Sequence, residues 1–582
     1  MENPRMKPGK LKDTLPLIAS MCKAAGVPGL AVGAIHRGEV LDQLHYGYRD
    51  VEKRLPVNSA TIFYVASLTK GITATALGIL VARGFLDWDT PVHEILPEMS
   101  KSSRLCEAKL NILDILSHRT GKAWADALYL QSNNKILLPK DQCIPVFDGI
   151  SQVAPVRSKY MYNNHAYNIA GLVVEKVSGQ KWAQFVAENI FEPLEMDRTF
   201  TKHPSEEENV AVPYNILKDG SPFRIPFCNA SGDTMMFAGQ SVRTSVTDLL
   251  KYSQAYLQAL DEMKPSSPGQ SYQAQSKERS HQGKVLRGKY ILQDIFRSNN
   301  VKTTNVGRLV SPIKKKSPHR SESSSPIKEI ATIVRPHVPR AVDSFLEQTY
   351  ALGWNRTQLP GTLDFGWNQR VLQDFPPLGE EYPGKLAIWH GGNMPGTTAA
   401  LCLLPESGTA VAVLQNSLGL CDVADWVCQL IIDVLFVGDP ARDYLSLVKS
   451  CVDAGVKRMD EVARDLADRR IEGTKPRSLK SYTGRYFNAM GNWFIDVKFV
   501  HESLVFKFLG LSDERYDLRH YHYDTFVWNM SYDETVKRAQ YIRPYAYYCF
   551  EFEARDTGGA IECLRWRNDP SVPGGECFYK SK

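Results

Sequence analysis

The sequence predicts an α+β protein, with antiparallel β-structure near both ends of a helix-rich body and a separate antiparallel β-barrel-like domain at the C-terminus. Three patterns carry this. A buried-type apolar run and an alternating run sit either side of a tight turn at residues 28–46, and two more apolar strand-like runs follow at 399–404 and 410–414. Between them lie long apolar stretches with helical spacing. Beyond residue 482 the pattern changes to short alternating segments separated by turns, the signature of a small barrel or sandwich.

In chain order, residues 28–36 read as a buried strand, Arg37-Gly38 as a turn and 40–46 as its hairpin partner. A short β-type run at 61–65 leads into an apolar helix opened by Ser67. Gly84 stops that helix, and Pro91 closes the turn behind it. Residues 110–118 have helical spacing, the Asn/His-rich turn at 160–168 precedes a helix at 169–177, and 244–261 begins as a capped helix. An amphipathic helix at 423–435 closes the body. This gives a body at 1–437, a charged helical connector at 438–478 and a β-rich domain at 479–582.

Residues 262–340 differ in composition: Pro, Ser, Gln, Lys and Arg dominate, and a basic, low-complexity insertion with one short helix near 289–296 is expected. This stretch holds 16 Lys/Arg against 5 Asp/Glu, so the overall net charge of +6 conceals a remainder of −5. The basic excess is local, which argues against a nucleic-acid-binding body. With no run of 18 apolar residues, no membrane-spanning helix is expected. The eleven scattered cysteines suit reduced thiols rather than disulfides or a metal site, and residues 1–8 lack the apolar core of a secretory signal. A cytoplasmic protein without metal or cofactor is the expectation.

Chemistry concentrates at Ser67 and Lys70. Three residues apart at a helix start, they place a hydroxyl and an amine on one face, where a desolvated lysine can activate the serine. The pattern Ser-x-x-Lys also occurs at Ser20, Ser178, Ser311, Ser325 and Ser446, but only Ser67 follows a β-type run and opens a strongly apolar helix. Two further pieces stand out: Tyr162-Asn163-Asn164 and His390-Gly391-Gly392-Asn393.

Taken in order, these pieces resemble the serine β-lactamase and penicillin-binding-protein superfamily, in its class C branch of esterases and transesterases. The resemblance covers roughly residues 10–435 outside the insertion, including the helix and His118–Gly121 turn and the Gly353-Trp354 pair. It implies a β-lactamase/transpeptidase-like fold, with an antiparallel sheet flanked by helices and an all-helical subdomain. It makes Ser67 the acylated nucleophile, Lys70 its base and proton shuttle, and Tyr162 the partner acid/base, with a phenolate stabilised by nearby positive charge. Asn164 would hydrogen-bond Lys70 and substrate. The backbone N–H of Asn393 would form an oxyanion hole with that of Ser67, and Gly391 and Gly392 would let substrate lie against the strand. His390 departs from the family's usual lysine, which there helps hold a substrate carboxylate. A mostly neutral histidine weakens that anchor, so an ester, thioester or amide without that carboxylate is favoured over a β-lactam. The segment beginning Tyr482-Thr483-Gly484 resembles the lipocalin-like domain of some members. Three functions follow from this set: a serine hydrolase of a small acyl substrate, an acyltransferase passing the acyl group to an acceptor in a natural-product pathway, and an inactive binding protein.

Overall fold

The computed structural model describes residues 10–101, 108–264, 325–342, 344–366, 368–372, 374–554 and 559–581. Helix α1 (Leu15–Ala25) leads into strands β1 (Gly29–His36) and β2 (Leu44–Asp50), and the turn holding Ser67 opens α2 (Thr69–Ala82). Helices α3 (Asn164–Ser178) and α4 (Val246–Asp261) follow. The chain then returns through β3 (Gln348–Tyr350), β4 (Asn355–Gln358), β5 (Leu386–Met394), β6 (Thr397–Leu404) and β7 (Thr409–Gln415). The sheet runs β2-β1-β7-β6-β5-β4-β3, every neighbouring pair antiparallel.

The two-residue period of a strand explains why these strands look uniformly apolar. Leu30, Val32, Ala34, Cys402, Val411 and Val413 face α1, α5 (Val423–Val437) and α6 (Tyr444–Asp468). Their alternates Ala31, Ile35, Leu401, Leu403, Ala412 and Leu414 face α2, α3 and α4. Both sheet faces are covered, so both registers must be hydrophobic.

After α6 comes a closed antiparallel barrel of eight strands: β8 (Gly484–Phe487), β9 (Phe494–Val500), β10 (Ser503–Phe508), β11 (Arg515–His522), β12 (Thr525–Val527), β13 (Cys549–Ala554), β14 (Ile561–Trp566) and β15 (Glu576–Lys580). Its interior is solid with rings. Trp493, Phe508, Trp566 and Phe578 are fully buried, and Phe508 stacks on Trp566 at 5.2 Å. Barrel and body belong to one compact unit.

Two differences from the sequence expectation have physical causes. The hairpin partner of β1 begins at Leu44 rather than at residue 40, only Glu39–Val40 pairing before it. Residues 326–340, expected within the low-complexity insertion, are folded: Ile327, Ile330, Ile333 and Val334 recur at helical spacing and are all buried, and Val338–Pro339 pairs with β3 at the sheet edge. The expected helix at 289–296 and the basic Ser-Pro tract lie outside the described residues. No described helix is long and apolar enough to cross a membrane.

Candidate active site

Ser67 sits in a 3-10 turn, Ala66–Leu68, that runs directly into α2, and Ala66 holds a left-handed φ of 43° to make the entry. Lys70 lies in the first turn of α2, fully buried. Its Nζ donates to Ser67 Oγ (2.9 Å), Asn164 Oδ1 (2.8 Å) and Gly239 O (3.1 Å). Burial brings its pKa down to about 7, opposed by the negative charge of Asp126. An amine that is substantially neutral at pH 7 can accept a proton.

The turn before α3 does two jobs. Asn163 caps the helix, its Oδ1 accepting from Ala166 N (2.9 Å), and its Nδ2 ties to Ala123 O (2.6 Å). The flanking residues point into the site. Tyr162 OH donates to Ser67 Oγ (3.0 Å), and Asn164 Nδ2 donates to both oxygens of Asp126 (2.9 and 3.1 Å). Asn164 therefore joins Lys70 to a buried carboxylate, which desolvation raises to about 7. The phenolate expected at Tyr162 does not suit this environment. Desolvation carries the phenol well above its ordinary value, so Tyr162 is a neutral donor at rest.

His390 is buried on β5, its ring 6.3 Å from that of Tyr162. Nδ1 lies 2.6 Å from the Gly391 carbonyl, which can only accept, so Nδ1 carries the proton and Nε2 accepts from Tyr350 OH at 3.1 Å. Burial, then Lys70, lowers its pKa to about 3. His390 is a neutral, fixed ring, in keeping with a weak anion anchor at this position.

The two glycines answer to the protein's own backbone. A Cβ on Gly391 would fall 1.7 Å from Phe365 O, and one on Gly392 would fall 2.2 Å from Val65 O, two residues before the serine. Gly392 thus seats β5 against the nucleophile turn instead of exposing an edge to substrate; it is absent from the cavity wall, which Gly391 and Asn393 do line.

Ser67, Tyr162, Asn164, His390, Gly391 and Asn393 open on one cavity of about 970 Å³. Its opposite wall comes from the barrel: Tyr541, Arg543, Tyr547 and residues 567–574. Tyr541 OH donates to Asn393 Oδ1 (3.0 Å), Tyr547 OH to Gln131 Oε1 (2.7 Å), and Ala125 N to Asp569 Oδ2 (2.8 Å). Asp126, Arg340, Tyr541 and Arg543 escape sequence reasoning because Asp126 opens a single 3-10 turn and the others sit in loops or beside a strand end, with no periodic signature. The competing motif serines Ser20 and Ser446 are spent on local bonds, to Pro16 O and Asp443. Away from the cavity, Glu553, Cys563 and Cys577 bring ligand atoms within 4.8 Å of one another, but Glu553 already holds Arg565 through both oxygens.

Comparison with known proteins agrees with this geometry. The β-lactamase family model matches residues 16–289, and a domain of unknown function (DUF3471) matches residues 468–577. The chain is 27% identical over 183 residues to the unguisins hydrolase ungD of Aspergillus violaceofuscus, covering 30% of this chain and 32% of that protein. It is 23% identical over 245 residues to a β-lactamase of Escherichia coli (strain K12), covering 42% of this chain and 60% of that one. These matches span from about a third to three fifths of the relatives' length. An octameric penicillin-binding protein homologue from Pyrococcus abyssi shares the fold over 96% of both chains, with a TM-score of 0.53 and 20% identity. Residues 16–289 match the β-lactamase family, and the chain shares its fold with a penicillin-binding protein homologue; both findings support the serine β-lactamase and penicillin-binding-protein superfamily.

Proposed function

We propose that the protein is a serine hydrolase acting through an acyl-enzyme on a small ester, thioester or amide. The observation that supports this most is Ser67 Oγ, held by a buried amine at 2.9 Å and a phenol at 3.0 Å on the floor of a cavity of about 970 Å³. In this reading neutral Lys70 takes the serine proton as Oγ attacks the acyl carbon, and Tyr162 passes a proton to the leaving group as its bond to that carbon breaks. Water then attacks the acyl carbon as its proton passes to the Tyr162 phenolate, and the bond to Ser67 Oγ breaks as Lys70 returns its proton to Oγ and the acid leaves. Asn164 keeps Lys70 aimed at the serine. The N–H groups of Ser67 and Asn393 stabilise the oxyanion, and His390 with Gly391 and Gly392 fixes the strand beside it. The active body is residues 1–437 with its insertion, joined through 438–478 to a lipocalin-like barrel at 479–582, in an intracellular setting that keeps thiols reduced.

A fluorophosphonate probe followed by peptide mapping tests the reading: label on Ser67, lost in Ser67→Ala, is expected. Ser67→Ala and Tyr162→Phe should each lower ester turnover roughly 10³-fold. An unlabelled wild-type protein would leave only an inert binding protein on this fold. A second reading, transfer of the acyl group to an alcohol or amine in a natural-product pathway, is favoured by the cavity volume of about 970 Å³, at the upper end for one small ligand. The similarity to a protein named unguisins hydrolase supports the first reading, hydrolysis, and with it a natural-product substrate. Acceptor alcohols that divert p-nitrophenyl ester turnover from acid to new ester would establish transfer; an unchanged product would establish hydrolysis.

A further inference from the structure

Five arginines line the cavity against three aspartates. The aspartates are occupied by neutral donors: Asp126 by Asn164, Asp364 by Gly366 N (3.1 Å), and Asp569 by Ala125 N and Ser571. Two of the arginines are held in a particular way. Arg543, from the barrel, lies over Trp124 of the body (4.6 Å) and over Tyr541 and Tyr547 (5.0 and 5.8 Å). Arg340, from the segment entering β3, lies over Trp389 (5.1 Å) and Tyr160 (5.8 Å). Among the described residues neither guanidinium has a carboxylate within ion-pair distance, whereas Arg119, Arg157 and Arg356 all do.

Stacking on an aromatic face fixes the guanidinium plane and leaves its N–H edge to bind in plane. Each half-buried cation has lost part of its hydration and has gained, besides the rings, a Tyr160 contact at Arg340 and only the longer-range charges of Asp364 on Arg340 and Asp126 on Arg543. The wall of one cavity thus carries two preorganised anion-binding groups, and the planar fork of each matches a carboxylate.

We propose that the substrate carries a carboxylate remote from its scissile carbonyl, received by Arg543 and Arg340. The inference rests on the hydrolase reading for the scissile end, but the anion site can be examined without it. His390 remains no anchor, so the charge is recognised by the barrel wall and the β3 approach instead of by the strand beside the serine.

The test is calorimetric titration of the full-length Ser67→Ala protein with the linear dicarboxylates from glutarate to suberate and with their diamides. At low salt, at least one dicarboxylate should bind about tenfold or more tightly than its diamide, and the advantage should shrink as NaCl is added. Arg543→Gln and Arg340→Gln in the same background should each reduce that preference several-fold, and Arg543→Lys should keep part of it. Diamides binding as well as every dicarboxylate, or a preference that survives both glutamine substitutions, would overturn the proposal. Fluorophosphonate labelling of the wild-type serine reports on the hydrolase reading alone, so either can fail without the other.

Discussion

At the scale of single residues, the site depends on one lysine whose charge is expensive to bury. Lys70 has three acceptors and no carboxylate in direct contact, and desolvation leaves its pKa near 7. A base must be unprotonated to act, so ester turnover should climb as pH rises through about 7 and level off above it. Asp126 opposes this shift, since a nearby carboxylate favours the ammonium form. Removing that charge should lower the lysine further. In Asp126→Asn the midpoint of kcat/KM against pH should therefore move to lower pH, measured with p-nitrophenyl acetate between about pH 5 and 9; a midpoint that rises would refute the coupling through Asn164. Burial keeps Tyr162 a phenol, beside a lysine that is itself half discharged near neutrality.

At the scale of elements, the alignment of β5 with the nucleophile turn is set by an absent side chain. Gly392 lies so close to Val65 O that a methyl group would need to push the strand or the turn by a large fraction of an ångström. Gly392→Ala should lower stability by about 1–3 kcal/mol, the usual range for an over-packed site, and slow fluorophosphonate labelling by moving Ser67 relative to β5. Denaturant unfolding and labelling rates measure the two effects, and an alanine variant that labels at the wild-type rate would show that the strand and turn are not coupled. The turn before α3 illustrates the same economy. Asn163 caps the helix, and this capping presents Tyr162 to Ser67 and Asn164 to Lys70 from either side of the cap.

At the scale of the whole molecule, the barrel is a wall of the cavity that Ser67 opens on. Besides Tyr541 and Tyr547, a buried carboxylate secures it: Glu514 Oε1 accepts from Ser132 N of the body (3.0 Å), and its other oxygen accepts from Tyr516 OH (2.8 Å). Glu514→Ala leaves that buried backbone N–H and the Tyr516 O–H without their acceptor, which should cost about 1–3 kcal/mol, although the Tyr516 oxygen still accepts from Gln540 (2.8 Å). Hydrogen exchange at residues 125–132 should accelerate and KM should rise while fluorophosphonate still labels Ser67. Unchanged protection there would mean that other contacts hold the barrel in place.

Much of this was legible in the residue order. The Ser67-x-x-Lys70 spacing, the Tyr162/Asn164 pair and the His390-Gly391-Gly392 run name the cluster that the fold brings together, because a spacing of three or four in a helix, or of two about a turn, dictates which groups share a face. The alternating segments after residue 482 foretell a barrel for the same reason. Tertiary structure alone decided the rest: that Asp126 reaches Lys70 through Asn164, that Arg543 faces the cavity from more than 400 residues beyond Ser67, and that the glycines of β5 answer to Val65 and Phe365. Such neighbours are remote in sequence and lie on different elements. Local periodicity fixes the orientation of a side chain within its own helix or strand, and only the packing of those elements against one another determines what it meets.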